Sequence, residues 1–164
     1  MTDSPNQLPA QQRRTAWTLV AIQFTLIAIL VLLPGGDEWP VTSALQLSGA
    51  IGSWAGIVIM VIAGLSLGRG LTAAPLPNAH AQLRTNGMYR FTRHPIYSGL
   101  LLFAVARGVA SGNAVTAVAA VLLIVLINFK VRWEEQRLNE RFPDYAAYAR
   151  RTPRFVPFFP VHEA

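Results

Sequence analysis

Residues 43–67, SALQLSGAIGSWAGIVIMVIAGLSL, form a 25-residue run that contains no charged side chain. At ~1.5 Å per residue, a helix of this length is ~38 Å long, enough to cross the ~30 Å hydrocarbon core of a bilayer with some tilt. Small residues recur along the run: Gly49, Gly52, Ala55, Gly56, Ala63 and Gly64. Since small residues let neighbouring helices approach closely, the run predicts a transmembrane helix packed against others.

Three further apolar runs lie at residues 16–33, 96–110 and 114–130. The first is long enough to cross a bilayer and ends at Pro34-Gly35-Gly36. The other two flank the turn sequence Ser111-Gly112-Asn113 and predict a helical hairpin. Each arm has about 16 residues, or ~24 Å, so the arms cross a thinned region or extend into flanking polar residues.

The composition is that of a membrane protein, because charged residues make up 13% of the 164-residue chain, against ~25% in soluble domains. We expect an all-α integral membrane helical bundle with about four transmembrane helices, a C-terminal cytoplasmic helix and an extended tail. Residues 1–164 form a single domain in this interpretation, and 1–14 are a flexible tail. No small-residue cleavage site follows the first run, which favours a retained span over a signal peptide. The absence of cysteine excludes disulfides and thiolate chemistry.

The net charge of +6 lies beside the apolar runs, which fits an anionic membrane surface better than nucleic acid. Basic residues flank the runs on one side of the predicted membrane: Arg13, Arg14, Arg69, Arg84, Arg90, Arg93, Lys130, Arg132, Arg137, Arg141, Arg150, Arg151 and Arg154. The opposite side holds Asp37 and Glu38, with Arg107 as a further candidate. The positive-inside rule therefore places both termini and the 68–95 loop in the cytoplasm.

Residues 83–99 form the first of three polar patches. Pro95 is suited to the first position of a helix, so the backbone N–H groups of the third span should open towards this loop. Arg93 and His94 stand immediately before that helix, where they would strengthen an anion site at its positive end. The alternative is that these are interfacial side chains whose charges reach into the headgroups.

The second patch, residues 129–138, continues the fourth span as a helix. Glu134 and Glu135 project about 100° apart, so at most one should face the bundle while the other meets solvent or an arginine. A carboxylate at the membrane boundary is costly to desolvate, so its presence there favours a functional role. An amphipathic surface helix remains the alternative.

The third patch runs from residue 141 to 160. Tyr145 and Tyr148 share one helix face, and prolines predict an extended tail beyond them. Arg154, held between Pro153 and Phe155, is a candidate contact for a substrate anion. For Phe158 and Phe159, the alternative to a role in the site is aromatic anchoring in the headgroup layer. Neither a metal-ligand spacing nor a phosphate-binding loop occurs in the sequence.

Together these patches carry a family resemblance over roughly residues 83–157. The motifs are Gly87-Met88-Tyr89, Arg93-His94-Pro95-Ile96-Tyr97-Ser98-Gly99, Glu134-Glu135-Gln136-Arg137-Leu138, and Phe142-Pro143-Asp144-Tyr145 through Tyr148 to Arg154-Phe155-Val156-Pro157. In order and spacing they resemble the isoprenylcysteine carboxyl methyltransferase and phospholipid N-methyltransferase superfamily of integral membrane methyltransferases.

The resemblance implies S-adenosylmethionine as the cofactor, held on the cytoplasmic side in the region 83–157. The cofactor-binding residues that it implies are Gly87, Met88, Tyr89, His94, Pro95, Tyr97 and Glu135. The catalytic candidates are Arg93, Glu134 and Arg154. Thr85-Asn86-Gly87 departs from the GxG of phospholipid methyltransferases, which counts against an amine substrate.

The expected reaction is methyl transfer to a lipophilic acceptor that enters laterally from the bilayer. A carboxylate is the preferred acceptor, because it is already nucleophilic and the arginines near the third patch can hold it; Arg154, or else Arg93, would be its clamp. N-methylation of a phospholipid amine and S-methylation of a small thiol are alternatives. An NADPH-dependent membrane reductase, since sterol reductases have a distantly similar C-terminal region, and a non-enzymatic scaffold are further alternatives. No metal or nucleic-acid partner is expected.

Overall fold

The computed structural model describes residues 10–67 and 83–157, and within these two stretches the secondary structure is helical, without strands. The elements are α1 (Ala10–Leu32), α2 (Ser43–Leu67), a 3-10 helix (Gly87–Arg90), α3 (Pro95–Ala110), α4 (Ala114–Arg141) and α5 (Tyr145–Ala149). In the described part of the chain, three helices are long and apolar enough to cross a membrane: Gln11–Leu32, Ser43–Leu67 and Ala114–Arg141. Helix α3, with 16 residues, is apolar but shorter.

Helix α1 begins before the predicted span, so residues 10–14 are helical where a flexible tail was expected. The reason is tertiary packing against the polar end of α4. The Gln12 side chain accepts a hydrogen bond of 3.1 Å from Arg137, and Ala16 and Val20 are buried against Trp133. Contacts with α4 therefore extend α1 beyond its apolar run.

The core lies where α1, α3 and α4 meet. Helix α4 packs on both α1 and α3, whereas α2 packs chiefly on α3. The buried core side chains are Leu26 and Leu30 of α1, Leu100, Phe103 and Ala104 of α3, and Ala119, Ala120, Leu123, Ile127 and Val131 of α4. The helices thus lie in the order α1, α4, α3, α2, with α2 at the edge.

Two glycines set the close approach of α2 and α3. A Cβ atom built on Gly56 would lie 2.5 Å from the carbonyl oxygen of Gly99, and one on Gly99 would lie 2.5 Å from the carbonyl oxygen of Gly56. Only glycine allows the two backbones this separation. The prediction that small residues of the 43–67 run let a neighbouring helix approach closely is confirmed at Gly49, Gly52 and Gly56.

Large apolar side chains cover the outer surface of the bundle. On the edge helix α2, Leu65 is 78% exposed and Trp54 is 66% exposed; on α1, Leu32 is 76% exposed. Water would disfavour such a continuous apolar surface, whereas hydrocarbon solvates it, and the helices satisfy their own backbone hydrogen bonds. This chain is therefore a membrane protein.

The hairpin turn between α3 and α4 lies where the sequence predicted it. Gly112 has φ +63°, which favours glycine, and the Asn113 side chain caps α4 by accepting hydrogen bonds from the backbone N–H groups of Val115 (2.9 Å) and Thr116 (3.2 Å). The Gly36 N–H donates to the carbonyl of Ser111 at 2.8 Å. The hairpin turn and the α1–α2 connection therefore meet at one end of the bundle.

Arg107 binds the end of α1 at this same end. Its Nε donates to the carbonyl of Leu30 at 2.9 Å, and its guanidinium Nη2 donates to the carbonyl of Leu33 at 3.1 Å. A cation is favourable there because the last carbonyls of a helix lack partners within it. The charged groups at the other end are separated from Arg107 by the length of α3.

Candidate functional site

At the other end of the bundle, the segment after α5 lies along the loop that precedes α3. We call residues 150–157 the tail segment. The N–H of Arg93 donates to the carbonyl of Pro153 at 2.9 Å, and the N–H of His94 donates to the carbonyl of Arg154 at 3.2 Å. The start of α3 and the tail segment are thereby held together through the backbone.

Two hydroxyl groups add side-chain hydrogen bonds to this contact. Thr92 Oγ1 donates to the carbonyl of Arg154 at 2.7 Å, and Ser98 Oγ donates to the carbonyl of Phe155 at 2.7 Å. Both carbonyls belong to a segment that has no regular secondary structure to satisfy them. The tail segment thus has a defined position on the first turn of α3.

Glu135 of α4 is the centre of the site, and it is only 7% exposed. Its Oε1 lies 3.1 Å from a guanidinium nitrogen of Arg93 and 3.2 Å from Nε2 of His94, and its Oε2 lies 2.5 Å from a guanidinium nitrogen of Arg154. Charge-assisted hydrogen bonds of this kind keep the carboxyl group ionised. One carboxylate therefore connects the loop before α3, helix α4 and the tail segment.

The ion cluster carries more positive than negative charge. Two guanidinium groups share one carboxylate, so Arg93, Arg154 and Glu135 together leave a formal charge of +1. The Nε atoms of Arg93 and Arg154 are buried and have no hydrogen-bond partner among the described residues. Buried donors of this kind are rare and call for a partner, so the cluster is suited to receive an additional anion.

Two tyrosines of α5 pack beneath the ion cluster. Tyr145 is 2% exposed, and its burial and the neighbouring Glu135 raise the pKa of its phenol. Burial also raises the pKa of Tyr148 to about 12, and its hydroxyl donates to the carbonyl of Tyr89 at 2.5 Å. The two rings meet edge to face, with centroids 6.0 Å apart. Both phenols are therefore protonated at physiological pH and can act as hydrogen-bond donors.

A second set of polar side chains, Glu134, Tyr97 and Lys130, lies beside the ion cluster on the bundle side of α4. Glu134 acts electrostatically on Tyr97 and Lys130, and its Oε2 is buried with no hydrogen-bond partner in the described residues. Tyr97 also stacks against His94, with ring centroids 5.8 Å apart. The contact between Tyr97 and His94 therefore joins these polar side chains to the ion cluster.

The two glutamates point in different directions, as expected from their spacing. Glu134 turns a buried oxygen towards α3, inside the bundle, whereas Glu135 meets arginines. Helix α4 is covered by α1 and α3 on one side and by the tail segment and the loop on the other. Side chains about 100° apart can therefore both be enclosed.

An apolar cavity of about 330 Å³ lies next to the site, between α2, the start of α3 and the tail segment. Its lining residues are Ile59, Met88, Phe91, Thr92, Ser98, Phe155 and Pro157. The two hydroxyl residues in this wall are those that donate to tail-segment carbonyls. The rest of the cavity wall is apolar and is therefore suited to a hydrocarbon chain.

The structure brings most of the candidate residues together. Arg93, His94 and Arg154 contact Glu135 directly, whereas Tyr97 and Glu134 lie beside them, Tyr89 contacts Tyr148, Pro95 is buried at the start of α3, and Met88 lines the apolar cavity. Gly87 is exposed and has φ +59°, so it serves the turn before the 3-10 helix and contacts none of these groups. Phe158 and Phe159 lie outside the described residues.

Sequence reasoning missed the polar pair Gln23 and Lys130. The Lys130 ammonium donates to Oε1 of Gln23, which joins α4 to α1. The signal available was a glutamine in the middle of the first apolar run, since polar side chains within a span usually face the bundle. The buried hydroxyl of Tyr145, which has no hydrogen-bond partner among the described residues, was also missed. Its position on the same helix face as Tyr148 was predicted correctly.

Comparison with known proteins gives curated relatives of two kinds. A cobalt-zinc-cadmium resistance protein of Cupriavidus metallidurans is 41% identical over 76 residues, which are 46% of this chain and 35% of that protein. Protein-S-isoprenylcysteine O-methyltransferase A of Arabidopsis thaliana is 34% identical over 134 residues, which are 79% of this chain and 66% of that protein. Protein-S-isoprenylcysteine O-methyltransferase B of the same plant is 38% identical over 81 residues, 48% of this chain and 41% of that protein.

These matched stretches span between about a third and two thirds of the relatives' own length. Residues 45–145 also match the profile of the family described as phospholipid methyltransferase. The match includes all of α3 and α4, and with them Arg93, His94 and both glutamates, and it ends before Arg154. Because the profile matches more than half of the chain, the chain belongs to the phospholipid methyltransferase family.

Proposed function

We propose that this protein is an S-adenosylmethionine-dependent membrane methyltransferase that transfers a methyl group to a lipophilic acceptor carrying a carboxylate. The observation that supports this most is the buried ion cluster around Glu135, which has excess positive charge and unpartnered donors at the polar end of an apolar bundle. The family of the chain agrees with methyl transfer as the reaction.

The residues present fit the amino-acid end of S-adenosylmethionine. The buried Nε donors of Arg93 and Arg154 suit its carboxylate, and the buried Oε2 of Glu134 suits its ammonium group. The rings of His94 and Tyr97 would line the same site. Bound there, the cofactor supplies an electrophilic methyl group on a sulfonium sulfur.

The chain's own residues would act mainly by positioning. Glu135 orients the two guanidinium groups and His94, and the hydroxyls of Thr92 and Ser98 hold the tail segment over them. Methyl transfer from a sulfonium to a carboxylate needs no proton transfer, so alignment of acceptor, methyl and leaving sulfur supplies most of the rate.

The carboxylate acceptor is supported by the names of the plant relatives, which are isoprenylcysteine O-methyltransferases. The apolar cavity beside Met88 offers a place for the hydrocarbon part of such an acceptor. Methylation of an amine or a thiol would instead require a base that removes a proton, for which Glu134 is the candidate. The predicted clamp of the acceptor carboxylate, Arg154 or else Arg93, stays a prediction, because both arginines bind Glu135 in the structure and their Nε donors also suit the cofactor.

We place the chain in the membrane as one unit with four crossings, and we place both termini and the site in the cytoplasm. The shorter helix α3 counts as a crossing because its hairpin turn meets the α1–α2 connection, at the end of the bundle remote from Glu135. The basic residues around the site agree with the positive-inside rule. Lateral entry from the bilayer would then deliver the acceptor.

Calorimetric titration of the purified full chain with S-adenosylmethionine, and separately with NADPH, tests the cofactor. We expect heat with the former only. Glu135→Ala should abolish this binding, whereas Arg150→Ala, which changes an exposed residue of the tail segment, should leave the affinity unchanged. Binding of NADPH alone would favour a reductase, and binding of neither would favour a scaffold. Mass spectrometry of lipid extracts incubated with enzyme and isotopically labelled methyl donor would then identify the acceptor.

A further inference from the structure

The polar groups suited to the cofactor are enclosed by the protein. The Nε atoms of Arg93 and Arg154 and the Oε2 atom of Glu134 are buried, and Glu135 between the two arginines is only 7% exposed. A ligand of the size of S-adenosylmethionine cannot reach these atoms while every surrounding segment keeps the position seen in the structure. One of these segments therefore has to move before the cofactor binds.

Helices α3 and α4 form two walls of the site and are poorly suited to this movement. Leu100 and Phe103 of α3 and Leu123 and Ile127 of α4 are buried in the apolar core, and displacement of either helix would break the close packing there. A short turn also joins the two helices and limits their relative movement. These two walls are therefore fixed.

The tail segment is attached much less firmly. It contains neither helix nor strand, and both of its ends are exposed. Its carbonyl groups at 153–155 accept hydrogen bonds from two backbone N–H groups and two hydroxyls, those of Arg93, His94, Thr92 and Ser98. Its apolar residue Phe155 is only partly buried against the core. Segments with few buried apolar contacts open locally at a lower free energy than packed helices do.

Arg154 links the tail segment to the groups suited to the cofactor. Its side chain is 35% exposed, against 12% for Arg93, so it lies on the outer side of the ion cluster. When the tail segment moves away, Arg154 moves with it, and Oε2 of Glu135 is uncovered. When the segment returns, it brings a second guanidinium group onto an anion already bound at Arg93.

We infer that the tail segment is a lid, which leaves the start of α3 to admit S-adenosylmethionine and then closes over the cofactor with Arg154. The inference rests on the proposed function, because it takes the ion cluster as the cofactor site. Phe155 and Pro157 of the lid also line the apolar cavity, so the same movement opens one wall of that cavity.

The first test measures how fast S-adenosylmethionine binds to the purified full chain by stopped-flow fluorescence. If the lid opens before the cofactor binds, the observed rate rises with cofactor concentration and then levels off at the rate of opening. A rate that keeps rising linearly, with a slope in the range of ~10⁵–10⁷ M⁻¹s⁻¹ typical of open sites, would overturn the inference. This test needs no variant.

The second test weakens the closed lid. Ser98→Ala removes one hydrogen bond to the carbonyl of Phe155 and should raise the association rate constant at low cofactor concentration roughly fivefold, the equilibrium effect of losing one ordinary hydrogen bond. Ser66→Ala is the matched control, since its hydroxyl bonds within α2, and it should leave this rate constant unchanged. An unchanged or lower association rate constant in Ser98→Ala would contradict the lid.

Amide hydrogen exchange gives an independent measurement on the wild type. The N–H groups of Arg93 and His94 donate to carbonyls of the lid, so their exchange reports its opening. At a cofactor concentration of about 100 times Kd, exchange at these two amides should slow roughly 100-fold, and unchanged exchange would overturn the inference. A wild type that binds no S-adenosylmethionine would refute the proposed function and the lid together, whereas binding with a linear rate or unchanged exchange refutes the lid alone.

Discussion

Replacement of Glu135 by glutamine is the perturbation that tests the site most directly. The change keeps the size of the side chain and removes its charge, so Arg93 and Arg154 lose their shared counterion and one hydrogen-bond acceptor becomes a donor. Breaking a buried ion pair by changing one partner costs ~3–5 kcal/mol. The Arg154 side chain is 35% exposed and can be rehydrated, which reduces the expected loss to ~2–3 kcal/mol.

For a chain of this size, such a loss lowers Tm by roughly 4–12 °C. Thermal unfolding in detergent, followed by circular dichroism, measures it, and calorimetry on the same samples measures the affinity for S-adenosylmethionine. Glu140→Gln is the matched control, because Glu140 is an exposed residue on the same helix, and it should change stability by less than about 0.5 kcal/mol. If Glu135→Gln and Glu140→Gln unfold at the same temperature, the ion cluster does not hold the loop before α3, helix α4 and the tail segment together.

Three further substitutions test other parts of the structure. Gly56→Val should lower the unfolding free energy by ~3 kcal/mol or more, because its Cβ would collide with a backbone carbonyl of α3; equal thermal unfolding of variant and wild type would contradict the α2–α3 packing. Ser98→Ala should speed amide hydrogen exchange in the tail segment roughly fivefold, for the loss of ~1 kcal/mol, whereas Ser66→Ala, which loses a hydrogen bond within α2, should not. Burial raises the pKa of Tyr148 from 10.0 to about 12, so its contribution to stability is complete below pH 10 and is lost as the pH rises towards 12. Tyr148→Phe should therefore destabilise the protein at pH 8 but lose less stability than the wild type between pH 10 and 12, and parallel unfolding curves over this range would refute the assignment.

The sequence determined the helices because their signals are local. Absence of charge over 43–67 defines a span by length alone, Pro95 marks the start of α3, and Asn113 marks the start of α4. Arg93 and His94 could be placed at the start of α3 for the same reason. These features depend on neighbours in the chain and on the thickness of a bilayer, and both are known before folding.

Tertiary structure decided which charges meet. Glu135 contacts His94, which is 41 residues away in the sequence, and Arg154, which is 19 residues away. No local sequence pattern predicts these pairings. The early start of α1 and the buried Lys130 likewise depend on the contact between α1 and α4. Whether a side chain faces lipid, water or a counterion depends on which helix lies beside it, and the packing of the whole bundle determines this.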